Sequence, residues 1–135
     1  MPQIYKSAEQ FESLFTELFA RVENAGKGGF DDLVKRRMLV RFRISEPDVA
    51  MAVDGRTAPA AILFGPSDGK ATLSVELTAD SLHELLVGTL PLGKALSGKR
   101  LRLNGSKLKA LSLKNLFTTL RSAYIDLAAE RLDDS

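Results

Sequence analysis

The residues equipped to do chemistry are few. In 135 residues there is one histidine, His83, and no cysteine. Thiolate nucleophiles, disulfides and thiolate metal sites are therefore excluded, and a histidine-based zinc cluster cannot be assembled from a single imidazole. His83 lies between Leu82 and Glu84 on a predicted helix, and we expect it at the surface. Two pairs of adjacent carboxylates occur. Asp31-Asp32 reads as a helix start and Asp133-Asp134 as a solvated tail. The glycine-rich run at 26–29, Gly-Lys-Gly-Gly, lacks the spacing and the Lys-Ser/Thr ending of a phosphate-binding loop and reads as a turn. No hydroxyl has an evident base partner. We expect no catalytic residue, no metal and no cofactor, so the chain reads as something other than an enzyme.

Charge is more informative in its distribution than in its sum. Nineteen Lys and Arg against seventeen Asp and Glu leave a net charge of +2, which does not by itself call for nucleic acid. From Leu85 to Ile125, however, there is no acid, while Lys94, Lys99, Arg100, Arg102, Lys107, Lys109, Lys114 and Arg121 are basic. Residues 9–32 lean acidic, with Glu9, Glu12, Glu17, Glu23, Asp31 and Asp32 against Arg21 and Lys27. One-sided fields of this kind bear on partners rather than on fold. The first ten residues lack the apolar stretch of a signal peptide, and no apolar run reaches the ~18 residues that span a bilayer. A soluble, cytoplasmic protein is expected, folded as one domain over residues 1–135.

The period of the apolar residues supplies the scaffold. Phe11, Leu14, Phe15, Leu18, Phe19 and Val22 follow one helical face. Ser7 and Gln10 have the spacing of a capping box, and 24–29 ends the helix. Residues 30–35 suit one further helical turn. The period then drops to two: Met38, Val40, Phe42 and Ile44 alternate with Leu39, Arg41 and Arg43, and Val49, Met51 and Val53 alternate again. Asp54-Gly55 signals a tight hairpin, Pro59 a strand start or an edge, and Asp68-Gly69 another turn. Ala71, Leu73, Val75 and Leu77 form a fourth alternating run, so the four strands are expected as an antiparallel meander. Thr78 caps a helix with Asp80 in its first turn and with Leu82, Leu85 and Leu86 on one face. Gly88 stops it, and Pro91 suits the first position of a short helix to about Leu96. Leu101 and Leu103 share the face of a fifth strand, and Asn104-Gly105 turns the chain. Ser106 caps a terminal helical region with Leu108, Leu111, Leu116, Phe117, Leu120, Tyr124 and Leu127 inward, Leu113 off the stripe, and a break expected at Asn115 or Thr118-Thr119. The fold class is α+β: a five-stranded, mostly antiparallel sheet with helices packed on one face.

The stretches VRFRISEPDVAMAVDG (40–55), ATLSVELTADSLHELLVG (71–88) and GKALSGKRLRLNGSKLKALSLKNLF (93–117) together resemble the sterol carrier protein-2 (SCP2-like) family. Their order and spacing carry the resemblance, which runs from about Phe11 to Leu120. It implies an apolar tunnel between sheet and helices that takes fatty acyl chains, sterols or other lipids, with no catalytic groups required. The 90–96 segment carries leucines and a proline where relatives often have polar or aromatic residues, which leaves the ligand open.

Read from the residues alone, leucine is plentiful relative to the one sheet face it can cover. The surplus has three outlets: tight packing, an internal cavity, or a surface patch. With the resemblance, the expected ligand-lining set is Phe15, Phe42, Leu73, Val75, Leu82, Leu85, Leu86, Leu92, Leu96, Leu103, Leu111, Leu116, Phe117 and Leu120. Lys94, Lys99, Arg100 and Lys107 are expected to meet an anionic membrane or headgroup. The helix from Pro91 to Leu96, flanked by Gly88, Gly93 and Gly98, is the expected gate. The function so read is noncatalytic binding, with transfer, of a fatty acyl chain, sterol-like molecule or isoprenoid. The alternative is an accessory or scaffold protein of lipid or quinone metabolism that presents lipophilic intermediates to partner enzymes. The expected partners are a hydrophobic small molecule, an anionic membrane, and a second copy or an enzyme. Nucleic acid is not among them, because stacking platforms need exposed aromatics and those here fall on inward stripes.

Overall fold

Ser7 begins the first helix, α1 (Ala8–Asn24), by accepting the Gln10 N–H at 3.1 Å. Gln10 reciprocates one residue earlier than the capping box prescribes: its Oε1 accepts the Lys6 N–H at 2.7 Å. All six residues of the predicted stripe are buried. A short helix, α2 (Asp31–Lys35), follows, and then the strands β1 (Leu39–Ser45), β2 (Val49–Asp54), β3 (Ala61–Phe64) and β4 (Leu73–Thr78). Two helices, α3 (Ala79–Val87) and α4 (Leu92–Ser97), lead to β5 (Leu101–Asn104) and the long α5 (Ala110–Arg131). This computed structural model describes residues 4–25, 30–65, 70–105 and 110–132. The predicted turns at 26–29 and Asp68-Gly69, the Ser106 cap, Lys107, Leu108, Lys109 and Asp133-Asp134 lie outside the described residues.

The sheet order is β3-β2-β1-β4-β5, which corrects the predicted meander. β4 does not follow β3 in the sheet. It returns to the other side of β1 and pairs with it in parallel, Phe42 opposite Val75, while Phe42 faces Met51 of β2 in antiparallel register. Alternation fixes which face a residue occupies but says nothing about which strand lies beside it. Thr72 settles the neighbour: its N–H donates to Leu39 O at 2.8 Å, and the Leu39 N–H donates to its Oγ1 at 3.0 Å. The sheet is mixed, with one parallel pair among antiparallel ones. β3, which follows Pro59, is an edge strand, as predicted.

The tight hairpin expected at Asp54-Gly55 is absent. Asp54 pairs with Ala61, so residues 55–60 form the connection. Asp54 is occupied locally, accepting the Arg56 N–H at 2.9 Å and its guanidinium at 2.9 and 3.0 Å. Gly55 answers a different need. A Cβ there would lie 2.7 Å from the carbonyl carbon and oxygen of Leu33 in α2, and its N–H donates to Met38 O at 2.7 Å.

α5 runs unbroken, so the predicted interruption is also corrected. Thr118 Oγ1 donates to Lys114 O at 3.0 Å and is accommodated within the helix. The helix also reverses two assignments: Leu113 is fully buried and Leu111 is 60% exposed. Positions 113, 116, 117, 120, 124 and 127 form one clean stripe, and Leu111 lies about 200° round the helix from Leu113. α5 packs against α1 and α3. The inner sheet residues Val40, Phe42, Met51, Val53, Leu73 and Val75 join the helices in one core. On the outer face, Arg43 and Arg102 flank Glu76 in register across three strands, each 4.0 Å away.

Candidate functional site: an apolar groove between α3, α4 and α5

The groove exists because α3 is stopped and α4 starts short of the core. Thr78 caps α3 by accepting the Ser81 N–H at 3.1 Å. Gly88, at φ +94, ends it in the left-handed conformation. The carbonyl end of α3 then receives Arg121 from α5: Nε donates to Leu86 O at 3.0 Å and Nη2 to Leu85 O at 3.3 Å. A cation at that terminus satisfies orphan carbonyls and meets the negative end of the helix dipole. Pro91 precedes α4 as its cap residue, one position earlier than predicted. α4 sends only Ala95 into the core. Leu92 stays half-buried and Leu96 is 36% exposed.

Between these elements lies a solvent-open groove of about 510 Å³, within the range of small-molecule sites. Its walls are Leu85, Leu90, Pro91, Leu92, Leu96, Leu111 and Phe117, and Lys114, Thr118 and Arg121 bring polar atoms to it from α5. Phe117 reaches both ways, since its ring is 6.5 Å from that of Phe42 on the sheet. Leu85, Leu92, Leu96, Leu111 and Phe117 thus belong to both the predicted set and the groove. Phe15, Phe42, Leu73, Val75, Leu82, Leu86, Leu116 and Leu120 are buried in the core, and Leu103 packs against it part-exposed. Sequence reasoning did not assign Lys114, Thr118 and Arg121 to a site. Their spacing from Phe117 was the available signal, because 114, 117, 118 and 121 share one helical face.

The predicted headgroup contacts separate. Lys94 is exposed on α4. Lys99 and Arg100 border a different hollow, of about 670 Å³, with Arg43, Glu76 and Arg102. Arg100 is tied to α3, donating from Nε to Ser81 Oγ at 3.1 Å and from Nη2 to Glu84.

His83 is not the surface residue expected. It is half-buried, with Nδ1 2.6 Å from the Tyr124 hydroxyl, which is 2.6 Å from the Tyr5 hydroxyl. Both tyrosines are fully buried. Burial pushes both phenols well above their ordinary range and lowers the imidazole, against the opposing pull of Asp80 and Glu84. With His83 neutral and protonated on Nε2, the chain runs Tyr5 O–H to Tyr124 O–H to His83 Nδ1. None of the three lines the groove, so the chain ties the N-terminal segment to α3 and α5 rather than serving that site. Among the described residues no group of three or more carboxylates and imidazoles is placed to hold a metal. No described helix is long and apolar enough to cross a membrane.

No family model and no curated protein matches the sequence. Solved structures do match. The chain is similar to apo sterol carrier protein 2 from Yarrowia lipolytica, at 14% identity and a TM-score of 0.60 over 73% of this chain and 80% of that one. It is similar to the sterol carrier protein domain 2 of Helicoverpa armigera, at 15% identity and 0.62 over 81% and 88%. It is also similar to UbiJ-SCP2, a ubiquinone synthesis protein, at 17% identity and 0.51 over 72% and 78%. The fold is that of sterol carrier protein 2, as the sequence resemblance implied.

Proposed function

We propose that the protein is a noncatalytic binder of a hydrophobic ligand, a fatty acyl chain, sterol-like molecule or isoprenoid, and that the groove between α3, α4 and α5 admits and holds it. The observation that carries this reading is a hollow of about 510 Å³ walled by leucines beside the core. The fold it shares with sterol carrier proteins supports the same reading. Burying an acyl chain gains about 0.8 kcal/mol per methylene, so eight methylenes contribute roughly 6 kcal/mol before association entropy is subtracted. Lys114 and Arg121 at the groove suit a ligand with a carboxylate or phosphate at one end. Ligand entrance by movement of α4 rests on its single buried residue, Ala95.

Native mass spectrometry of freshly purified protein, followed by extraction of bound lipid, identifies the ligand. Leu92→Asp places a charge on the groove wall at a half-buried position. It should abolish uptake of a fluorescent fatty acid while the thermal midpoint holds, and unchanged uptake would count against the groove. The exposure of Leu111 and Leu96, with the structural likeness to a ubiquinone synthesis protein, favours a second reading. In it the protein presents a lipophilic intermediate to a partner enzyme, and recovery of a bound polyprenyl compound would mark that case.

A further inference from the structure

The groove has a mouth as well as walls, and its composition is unusual for a surface. Leu111 and Leu96 are both exposed large apolar residues, at 60% and 36%, and both border the same hollow. Pro91 is exposed beside them. The charges nearest in sequence are Lys94 on α4 and Lys114 on α5, both exposed and neither in an ion pair among the described residues. Among the described residues no carboxylate lines the groove. The nearest acid along the chain, Glu84, is paired with Arg100. Protruding leucines among cations of one sign form a surface for an anionic bilayer, with side chains to enter the acyl boundary and ammonium groups to remain at the phosphates.

Elsewhere among the described residues, Leu63 is 42% exposed, but on the edge strand β3, at the far side of the sheet from β5. The hollow beside the outer sheet face is also basic, with Arg43, Lys99, Arg100 and Arg102. It includes Glu76 and Asp48, however, and its large apolar residues Ile44, Val49 and Leu77 are buried. Ile125 is 44% exposed but stands next to Asp126. α1 turns Glu9 and Glu23 to solvent, a face an anionic surface repels. We propose that the protein docks on anionic membranes through the groove mouth, with Leu96 and Leu111 inserted and Lys94 and Lys114 at the headgroups. This goes beyond ligand binding: it says what the opening rests against.

The test is cosedimentation of the full chain with vesicles of phosphatidylcholine, with and without phosphatidylserine. Binding should require phosphatidylserine and weaken as salt is raised. A cation at such a surface is worth about fivefold in affinity, so Lys94→Gln with Lys114→Gln should cost roughly twenty-five-fold. Arg43→Gln with Arg102→Gln changes net charge equally on the other face and should stay within about twofold if location matters. Leu111→Ser should cost about tenfold, since it removes an inserting side chain that is already outside the core. Equal binding to neutral and anionic vesicles, equal losses in the two double variants, or full binding by a folded Leu111→Ser protein would each overturn the proposal. So would a stable dimer that Leu111→Ser dissociates, because the patch would then be a self-contact. Fatty-acid uptake from vesicle-free solution tests the ligand reading separately.

Discussion

The buried chain of Tyr5, Tyr124 and His83 makes a prediction whose sign changes with background. Tyr124 is the middle member, with Tyr5 Oη and His83 Nδ1 each 2.6 Å from its oxygen. Tyr5→Phe removes only the outer donor, and the Tyr124 hydroxyl still donates to His83. The expected loss is that of one hydrogen bond, about 1 kcal/mol. Tyr124→Phe removes the centre and leaves the Tyr5 hydroxyl without a partner at a site with no solvent exposure. An orphaned buried hydroxyl costs about 1–3 kcal/mol, and the lost link to His83 adds about 1 more, so roughly 2–4 kcal/mol is expected. Converting both tyrosines removes the orphan along with the bonds. The double variant should therefore be more stable than Tyr124→Phe alone, with a coupling of about 2 kcal/mol between the sites. Urea denaturation compares the midpoints at constant m-value. If Tyr5→Phe destabilises the Tyr124→Phe protein as much as it does the parent, the three groups do not act as a chain and the reasoning fails.

Two further perturbations probe the same framework. The folded protein holds His83 below its ordinary value of 6.5, so the unfolded chain binds more protons in the window between the two. Stability is then fully present above pH 6.5 and declines as pH falls below it, by at most about 1.4 kcal/mol per pH unit. His83→Gln should flatten that slope in pH-dependent melts, and a slope unchanged by the substitution would assign it elsewhere. Gly55→Ala would place a Cβ 2.7 Å from the Leu33 backbone and force α2 to shift, at a cost of roughly 1–3 kcal/mol. A change in the urea midpoint too small to measure would refute the close approach.

Much of the fold was legible because period and capping act locally. The α1 stripe, the Ser7 and Thr78 caps, the Gly88 stop and the burial of alternate strand residues all follow from neighbours a few positions apart. Most of the errors share the opposite property. The place of β4 beside β1 depends on Thr72 reaching Leu39, more than thirty residues away along the chain. Asp54-Gly55 has the composition of a tight turn, yet its glycine is required by a backbone from α2. His83 looked like a surface residue because it stands beside Glu84 in sequence, whereas its partner Tyr124 arrives from another helix. In α5 the misreading was angular: Leu111 lies about 200° from Leu113, off the stripe of Leu116, Phe117 and Leu120 that Leu113 joins, so the helical period itself assigns Leu113 inward and Leu111 out.

That assignment explains the leucine surplus. Once Leu113, Leu116, Phe117 and Leu120 are turned inward, Leu111 has to face away from them. Gly88 ends α3 and Pro91 resets the chain, so that α4 contributes Ala95 to the core, while Leu92 packs half-buried against it and Leu96 is exposed. Leu96 and Leu111, both exposed, add little to stability where they stand, and all three leucines line the same groove. A fold that needed only to be stable would gain by polar residues at these positions, since exposed apolar surface invites association. Their convergence on one hollow, lined by cations and, among the described residues, by no carboxylate, is more readily explained by what the hollow meets than by what the core requires.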